Sequence, residues 1–519
     1  MGDRLNPVLV KEVRQALRGK MFRISFIVTL TLATLISLGV IVTGIVQGRN
    51  EEIGPLFFMP MFFLLVVSLQ VVVPFSAFVS MGSEWDENTW DLLVLSDLKP
   101  RRILLGKLLA AGTQALLHVS VFVPFLVFAF LLRGLAPQPV LVLIACSLLA
   151  SAGLCTLALW LSSLTTQRFL RVLLLALLAA ALVNSAGGMM VFAGFLTQMP
   201  HVLSNDEFRG MLGFAVAMTL LLGGFFFAAG CSRLAHPEEN RSSGLRALTT
   251  ASFVAGLIWL LYMVPKIGSG DPIFVLVSVM IGVLTVPAII FLTEPEGLGR
   301  RVRLDVPRSR VLALLAAPFL PGSGRAMLYL LLSVGLLYLG AFLLFAVHGP
   351  LPLGFSGGTV LSGLPGPASE GMSSVFMSAL YVVGYLSVLS LAVARLTRTP
   401  RGRIIARAIL FLAWIPMLAL PVLFGFLSGT FDESLFLHAG NPGWVVARAW
   451  DGGFPGDVRG ACILVGVVAA IGVLLQAPRM VRGVREVTQA SARARAAARG
   501  ARPVDRAVAA EVPHAGARS

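Results

Sequence analysis

Long uninterrupted apolar blocks, each about as long as a bilayer is thick, constrain this chain more than any other feature. A hydrocarbon core about 30 Å thick takes roughly 20 helical residues rising about 1.5 Å each. Blocks near that length lie at Ile24–Val46, Leu56–Ser80, Ile103–Leu132, Val140–Leu164, Phe169–Thr197 and Met211–Cys231. Six more follow at Ala251–Val264, Ile273–Thr293, Met327–Val347, Ser373–Ala394, Ala408–Ser428 and Gly460–Ala477, with Ala251–Val264 the shortest. Lipid offers no partner to a bare backbone N–H or C=O, so each block must close its own hydrogen bonds as a helix. Composition agrees: 57% of residues are hydrophobic and 13% charged, against about 25% charged in a soluble domain. A soluble multidomain enzyme and a disordered chain are both excluded. The expected fold class is an all-α polytopic membrane protein of about twelve transmembrane helices.

The cations, which play no part in choosing the blocks, orient them. With the N-terminus inside, alternation puts 35 of the 41 Lys and Arg residues on the cytoplasmic side. Cytoplasmic loops are rich in Lys and Arg, and a span missed or added midway would invert the bias downstream. No inversion occurs, so both termini are expected in the cytoplasm. The net charge of +16 is accounted for without any nucleic-acid partner. Cys146, Cys155, Cys231 and Cys462 all lie in apolar blocks with no C-x-x-C spacing, and no H-E-x-x-H occurs. Neither a disulfide framework nor a metal site nor a catalytic residue is therefore expected. The first block exceeds a signal-peptide h-region and lacks a small-residue cleavage site after it, so it is expected to stay. Residues 479–519 read as a basic cytoplasmic tail whose only acids are Glu486, Asp505 and Glu511; a helix on the anionic inner leaflet is one reading, and a passive, partly disordered tail is the favoured one.

Two cytoplasmic elements stand out. Asn6 is a good N-cap and Pro7 suits the first helical position. Val10, Val13 and Leu17 then share one face and Lys11, Arg14 and Arg18 another, the pattern of a helix lying on the lipid surface. The second element, residues 82–102, opens with Glu84, Asp86, Glu87 and Asp91, an acidic cluster on the side that favours cations. Helical spacing puts Glu84, Glu87 and Asp91 on one face, with Trp85, Leu92 and Leu93 on another. Pro100 ends that helix or starts the next, where Arg101, Arg102 and Lys107 are expected to anchor the span at the interface. An acidic, aromatic-edged helix of this kind suits either the interface or the docking of another protein.

Together the two elements resemble those of ABC-2 type transporter permease subunits. That family places an N-P-x-x-x-K/R-E-x-R-x-x-x-R elbow helix before its first span, met here by Asn6, Pro7, Lys11, Glu12, Arg14 and Arg18. After its second span it carries E-x-E-x-G-T-x-x-x-L-L, a proline and I-x-L-G-K-x-L. Glu84, Asp86, Glu87, Thr89, Leu92, Leu93 and Pro100 match the first part; Ile103, Leu105, Gly106, Lys107 and Leu109 match the rest. Asn88 stands where the family has Gly, a position Asn tolerates in a left-handed turn. The motifs cover residues 6–109. The resemblance implies an elbow helix at 1–23, a six-helix permease domain at 24–234 and a coupling helix at 82–102. It further implies an exporter driven by a separate ABC ATPase subunit that docks on that loop and uses the ATP. No G-x-x-x-x-G-K-S/T occurs in this sequence, so the phosphate-cradling loop would belong to that partner. The lipid bilayer is the other partner, with a second permease subunit or a homodimer left open, and the bacterial cytoplasmic membrane is the implied location.

Residues 235–478 form a second six-helix domain whose relation to the first is open. Its counterpart of the Glu84 loop falls at 294–325 and is cationic where the first is acidic. The polar residues inside spans are Gln70, Gln114, His118 and Asn184, with Ser185 beside the last. They either mark a transport path or bond one helix to another. No span carries an ionisable group near its centre other than His118, which weakens an ion-coupled carrier. An integral membrane enzyme or a scaffold is the alternative, since Asp432, Glu433, His438, Asp451 and Asp457 share one external loop. Their spacing matches no metal or paired-carboxylate motif.

Overall fold

The computed structural model describes residues 7–46, 54–86, 100–132, 135–164, 168–235, 239–267, 271–348, 367–413, 445–446 and 456–500. Among them the secondary structure is helical, without a strand, and eleven helices are long and apolar enough to cross a membrane. The chain is an all-α, multi-pass membrane protein. Each of the eleven coincides with a predicted block. The remaining block, Ala408–Ser428, runs out of the described residues after 413. Asn6, Glu87, Thr89, Asp91, Leu92 and Leu93 also lie outside them, as do Asp432, Glu433, His438 and Asp451. The chain divides into two compact units, Met1–Ala235 and His236–Ser519.

The first unit contains α1 (Pro7–Arg18), α2 (Lys20–Val46), α3 (Gly54–Val67), α4 (Val73–Asp86), α5 (Pro100–Leu131), α6 (Pro137–Ser163), α7 (Arg168–Gln198) and α8 (Asp206–Leu234). One π-helical turn, Ser68–Val72, joins α3 and α4 into a single span. That span is the unit's centre: Phe57, Phe58, Met61, Phe62, Leu65 and Leu69 are fully buried against α5, α6 and α7. A helix apolar all round has no solvent face and belongs there. Pro74 follows the turn, and in its i→i−5 register, in which the Val73 N–H reaches the Ser68 carbonyl, Pro74 has no N–H to offer the Leu69 carbonyl. A neighbour compensates: the Ser151 hydroxyl on α6 donates to the Leu69 carbonyl at 2.6 Å. Ser162 on the same helix also donates across to α4, to the Phe78 carbonyl at 2.9 Å. Ser151→Ala should lower stability by about 1 kcal/mol, the net worth of such a bond, read as a fall in the detergent unfolding midpoint.

The second unit contains α9 (Ser243–Ile267), α10 (Asp271–Leu292), α11 (Arg300–Leu304), α12 (Arg310–Ala316), α13 (Ser323–His348), α14 (Pro367–Ala392), α15 (Pro400–Leu412) and α16 (Gly456–Gly500). The shortest block, Ala251–Val264, proves to be the apolar part of a 25-residue helix. Its first two turns, Ser243 to Thr250, are polar in sequence and escape a hydropathy reading. The tail requires a correction. From Arg479 to Gly500 it continues the last span as one 45-residue helix, so this part is ordered, while residues 501–519 lie outside the described residues. Ala and Arg are strong helix formers, and Val484, Val487 and Ala490, spaced three apart, pack on Leu298, Val302, Val306, Ala313, Ala317 and Leu320.

Candidate functional site

In the first unit a neutral, buried ion cluster ties three elements together. The Lys107 ammonium, in the second turn of α5, lies 2.9 Å from Glu12 Oε1 on α1 and 3.0 Å from Glu84 Oε1 on α4. It also donates to the Ser80 hydroxyl at 2.9 Å and the Ser80 carbonyl at 3.2 Å. The Ser80 hydroxyl in turn donates to Glu12 Oε2 at 3.0 Å. Lys11 approaches Glu84 at 3.8 Å from the exposed side of α1. Lys107, Glu84 and Glu12 are only 3%, 5% and 6% exposed. Two cations therefore balance two carboxylates, the condition for burying either. The same end of α4 is held from α7, where Arg171 donates to the Gly82 carbonyl at 3.1 Å.

This geometry changes the reading of several predicted residues. The amphipathic helix Pro7–Arg18 is present, with Lys11, Arg14 and Arg18 exposed as expected. What it turns inward is Glu12. Lys107 is buried and is not an interface anchor; Arg101 and Arg102 are exposed at the start of α5, and Gly106 is buried. Glu84 faces Lys107 inside the unit, so it is not presented on an outward acidic face. Pro100 opens α5, and Asp86 closes α4. Beside the cluster, between α1, α4 and α5, lies a cavity of about 200 Å³ lined by Glu12, Gln15, Phe22, Ser80, Lys107 and Gln114 among others.

The intramembrane polar residues do not form one path. Gln70 accepts from Ser185 on α7 at 2.8 Å, and Gln114 accepts from Ser76 on α4 at 2.8 Å. Each bonds one helix to another, and Gln114 also lines the cavity. His118 Nδ1 is 2.9 Å from the Gln114 carbonyl, so that nitrogen carries the proton. The ring meets Phe22 and Phe26 edge-on, with centroids 5.5 and 6.2 Å away. Asn184 points outward from α7 and joins none of them.

The second unit holds a matching constellation that the sequence reading missed. Arg246, fully buried on α9, donates to the Pro318 and Leu320 carbonyls at 2.7 Å each and to Glu294 at 2.8 Å. Its guanidinium sits 5.0 Å from the Phe291 ring centre. Glu294 also accepts from the Gly322 N–H at 2.9 Å, and Gly322 holds φ at +137°, a backbone state suited to glycine. Arg325, near the start of α13, reaches Glu486 on α16 at 3.2 Å. Glu486 further accepts from the Leu298 N–H at 2.9 Å and pairs with Arg303 at 3.0 Å. The available signal was a charge within the first turns of an apolar block, as at Lys107, Arg246 and Arg325.

Among the described residues no three His, Cys, Asp or Glu side chains are grouped as metal ligands. What the site offers is a set of ionic ties between peripheral helices and span ends. No protein-family model, curated protein or solved structure matches the chain.

Proposed function

We propose that the chain is the membrane-spanning subunit of an ATP-driven transporter of the ABC-2 type, exporting its substrate across a bacterial cytoplasmic membrane. ATP is hydrolysed on a separate ABC ATPase subunit that engages the loop after the second span. The observation that supports this most is the Glu12–Lys107–Glu84 cluster. It makes the elbow helix and the ends of the second and third spans one body, flanking the loop where the partner acts. A push on that loop is then passed to both spans rather than absorbed at a flexible joint. The coupling contacts are assigned to the acids that follow Glu84 in sequence, Asp86, Glu87 and Asp91, with Glu84 holding the platform in place.

Residue placement in the second unit favours two six-helix halves. There too a carboxylate, Glu294, follows the second span, and a Gly-Arg pair, Gly324-Arg325, opens the third, as Gly106-Lys107 does in the first. Glu486 of the tail helix plays toward Arg325 the part that Glu12 of the elbow helix plays toward Lys107. On this reading a single chain supplies both halves of the pore.

The test is recovery of the partner. Tagged protein drawn from gently solubilised native membranes should bring an ABC ATPase with it. Glu87→Lys with Asp91→Lys should abolish that recovery while membrane insertion stays intact. Equal recovery with the double variant removes the docking assignment, and absence of any ATPase removes the transporter reading.

A further inference from the structure

The short helix α12 is inside out for a soluble surface. Ala313, its smallest apolar residue at mid-helix, is fully buried, while Val311, Leu312, Leu314 and Leu315 are 65%, 57%, 44% and 66% exposed. At about 100° per residue these four lie around the face opposite Ala313. The turn is held rigidly in that pose: Ala313 and Ala317 pack with Val487 and Ala490 of α16, and Ser491 donates to the Arg308 carbonyl at 3.0 Å. Among the described residues these four side chains stay largely exposed. Arg308 and Arg310 flank them in sequence and are exposed, as is Arg300, while Arg301 and Arg303 are exposed but paired with Glu239 and Glu486.

A lipid surface is the first occupant to weigh, and the tail helix argues against it. Arg479 marks the edge of the apolar layer, because it pairs at 3.4 Å with Glu296, just past the end of α10. Its backbone also lies directly against Gly324 at the start of α13. Val487 and Ser491, which bear α12 and its flank, are eight and twelve residues further along α16. At 1.5 Å per residue that is about 12–18 Å beyond the edge, whereas the headgroup layer is only about 5–8 Å deep on each side. Pro478 lies just before this stretch, and a proline kink of about 30° would still leave most of that rise.

We infer that α12 is a docking knob for a soluble protein on the cation-rich side of the membrane, one that offers an apolar cleft bordered by carboxylates. The four apolar side chains fill the cleft, and Arg308 and Arg310, which flank them in sequence, meet its rim. This surface stands independently of the transporter reading, which rests on the first unit.

The test uses the full chain in nanodiscs of phosphatidylethanolamine and phosphatidylglycerol, with the four native cysteines replaced by alanine and a nitroxide at Leu312→Cys. The label should be relaxed by a water-soluble nickel chelate and little by oxygen; strong oxygen relaxation places it in lipid and overturns the proposal. A benzophenone amino acid at Leu312 or at Leu315 should crosslink in cells to one soluble protein. That protein, purified, should shield the nitroxide from nickel, and Arg308→Glu with Arg310→Glu should weaken the shielding about tenfold. Leu315→Glu, on a residue the fold does not use, should weaken it at least as much. No adduct, an adduct with a second copy of this chain, or failure of the purified protein to shield the label each overturns the inference.

Discussion

Lys107→Met should destabilise the first unit by about 3–5 kcal/mol, the cost of leaving a buried charge without its partner. The ammonium is the common partner of Glu12 and Glu84, at 2.9 and 3.0 Å. Without it two buried carboxylates face one another, and Lys11, half-exposed on α1, stands 3.8 Å from Glu84. Relief comes by releasing α1, since Glu12 can reach water only if the elbow helix lifts. Limited proteolysis should therefore cut between Arg18 and the first span in the variant and not in the parent. Replacing the whole cluster, with Glu12→Leu, Glu84→Leu and Lys107→Met together, should recover most of the loss, because an apolar set of similar volume is often neutral or stabilising. An unfolding midpoint for Lys107→Met within that of an ordinary surface variant would show that the cluster is not closed as described.

Arg246→Ala should cost about as much in the second unit, roughly 3–5 kcal/mol, for a different reason. Arg246 satisfies two loop carbonyls, those of Pro318 and Leu320, and the Glu294 carboxylate at once. Arg246→Lys is the sharper comparison. An ammonium carries the same charge but lacks the planar fork, so at least one carbonyl loses its donor, and a loss of about 1–3 kcal/mol is expected. Hydrogen exchange should locate the damage. The Gly322 N–H, which donates to Glu294 at 2.9 Å, and residues 317–322 should lose protection in both variants, with the middle of α14 unchanged. Uniform loss across the unit would instead mean that Arg246 acts on global packing.

The spans were legible because lipid leaves a chain few choices: about 20 apolar residues must be helical, and eleven blocks reappear as helices. The block at Ala251–Val264 was under-read because the first turns of α9 carry Arg246, a charge whose burial is compensated by residues 48 and more positions away. Hydropathy scores each residue alone and cannot see such a partner. The same blindness hid the inward turn of Glu12: helical spacing placed it correctly on α1, but only Lys107 decides that a carboxylate faces the protein. In the tail, low hydrophobicity and high charge suggested disorder, yet Val484, Val487 and Ala490 suffice to dock an alanine-rich helix on a preformed surface. The π turn was out of reach, since Pro74 signals a disturbed span without saying which form the disturbance takes.

On the transporter proposal, force from a separate ATPase passes through the charged tie between the elbow helix and the second and third spans. That claim is tested most directly by ATP hydrolysis of the co-purified complex in lipid vesicles, comparing the parent with the apolar triple variant at Glu12, Glu84 and Lys107. The triple variant should match the parent in unfolding midpoint and partner recovery. Its ATPase rate should no longer respond to being assembled with the membrane subunit, because the directional ionic tie that joins the elbow helix to both span ends is gone. A triple variant whose assembled ATPase rate equals that of the parent would contradict the claim and leave the cluster as a structural tie alone.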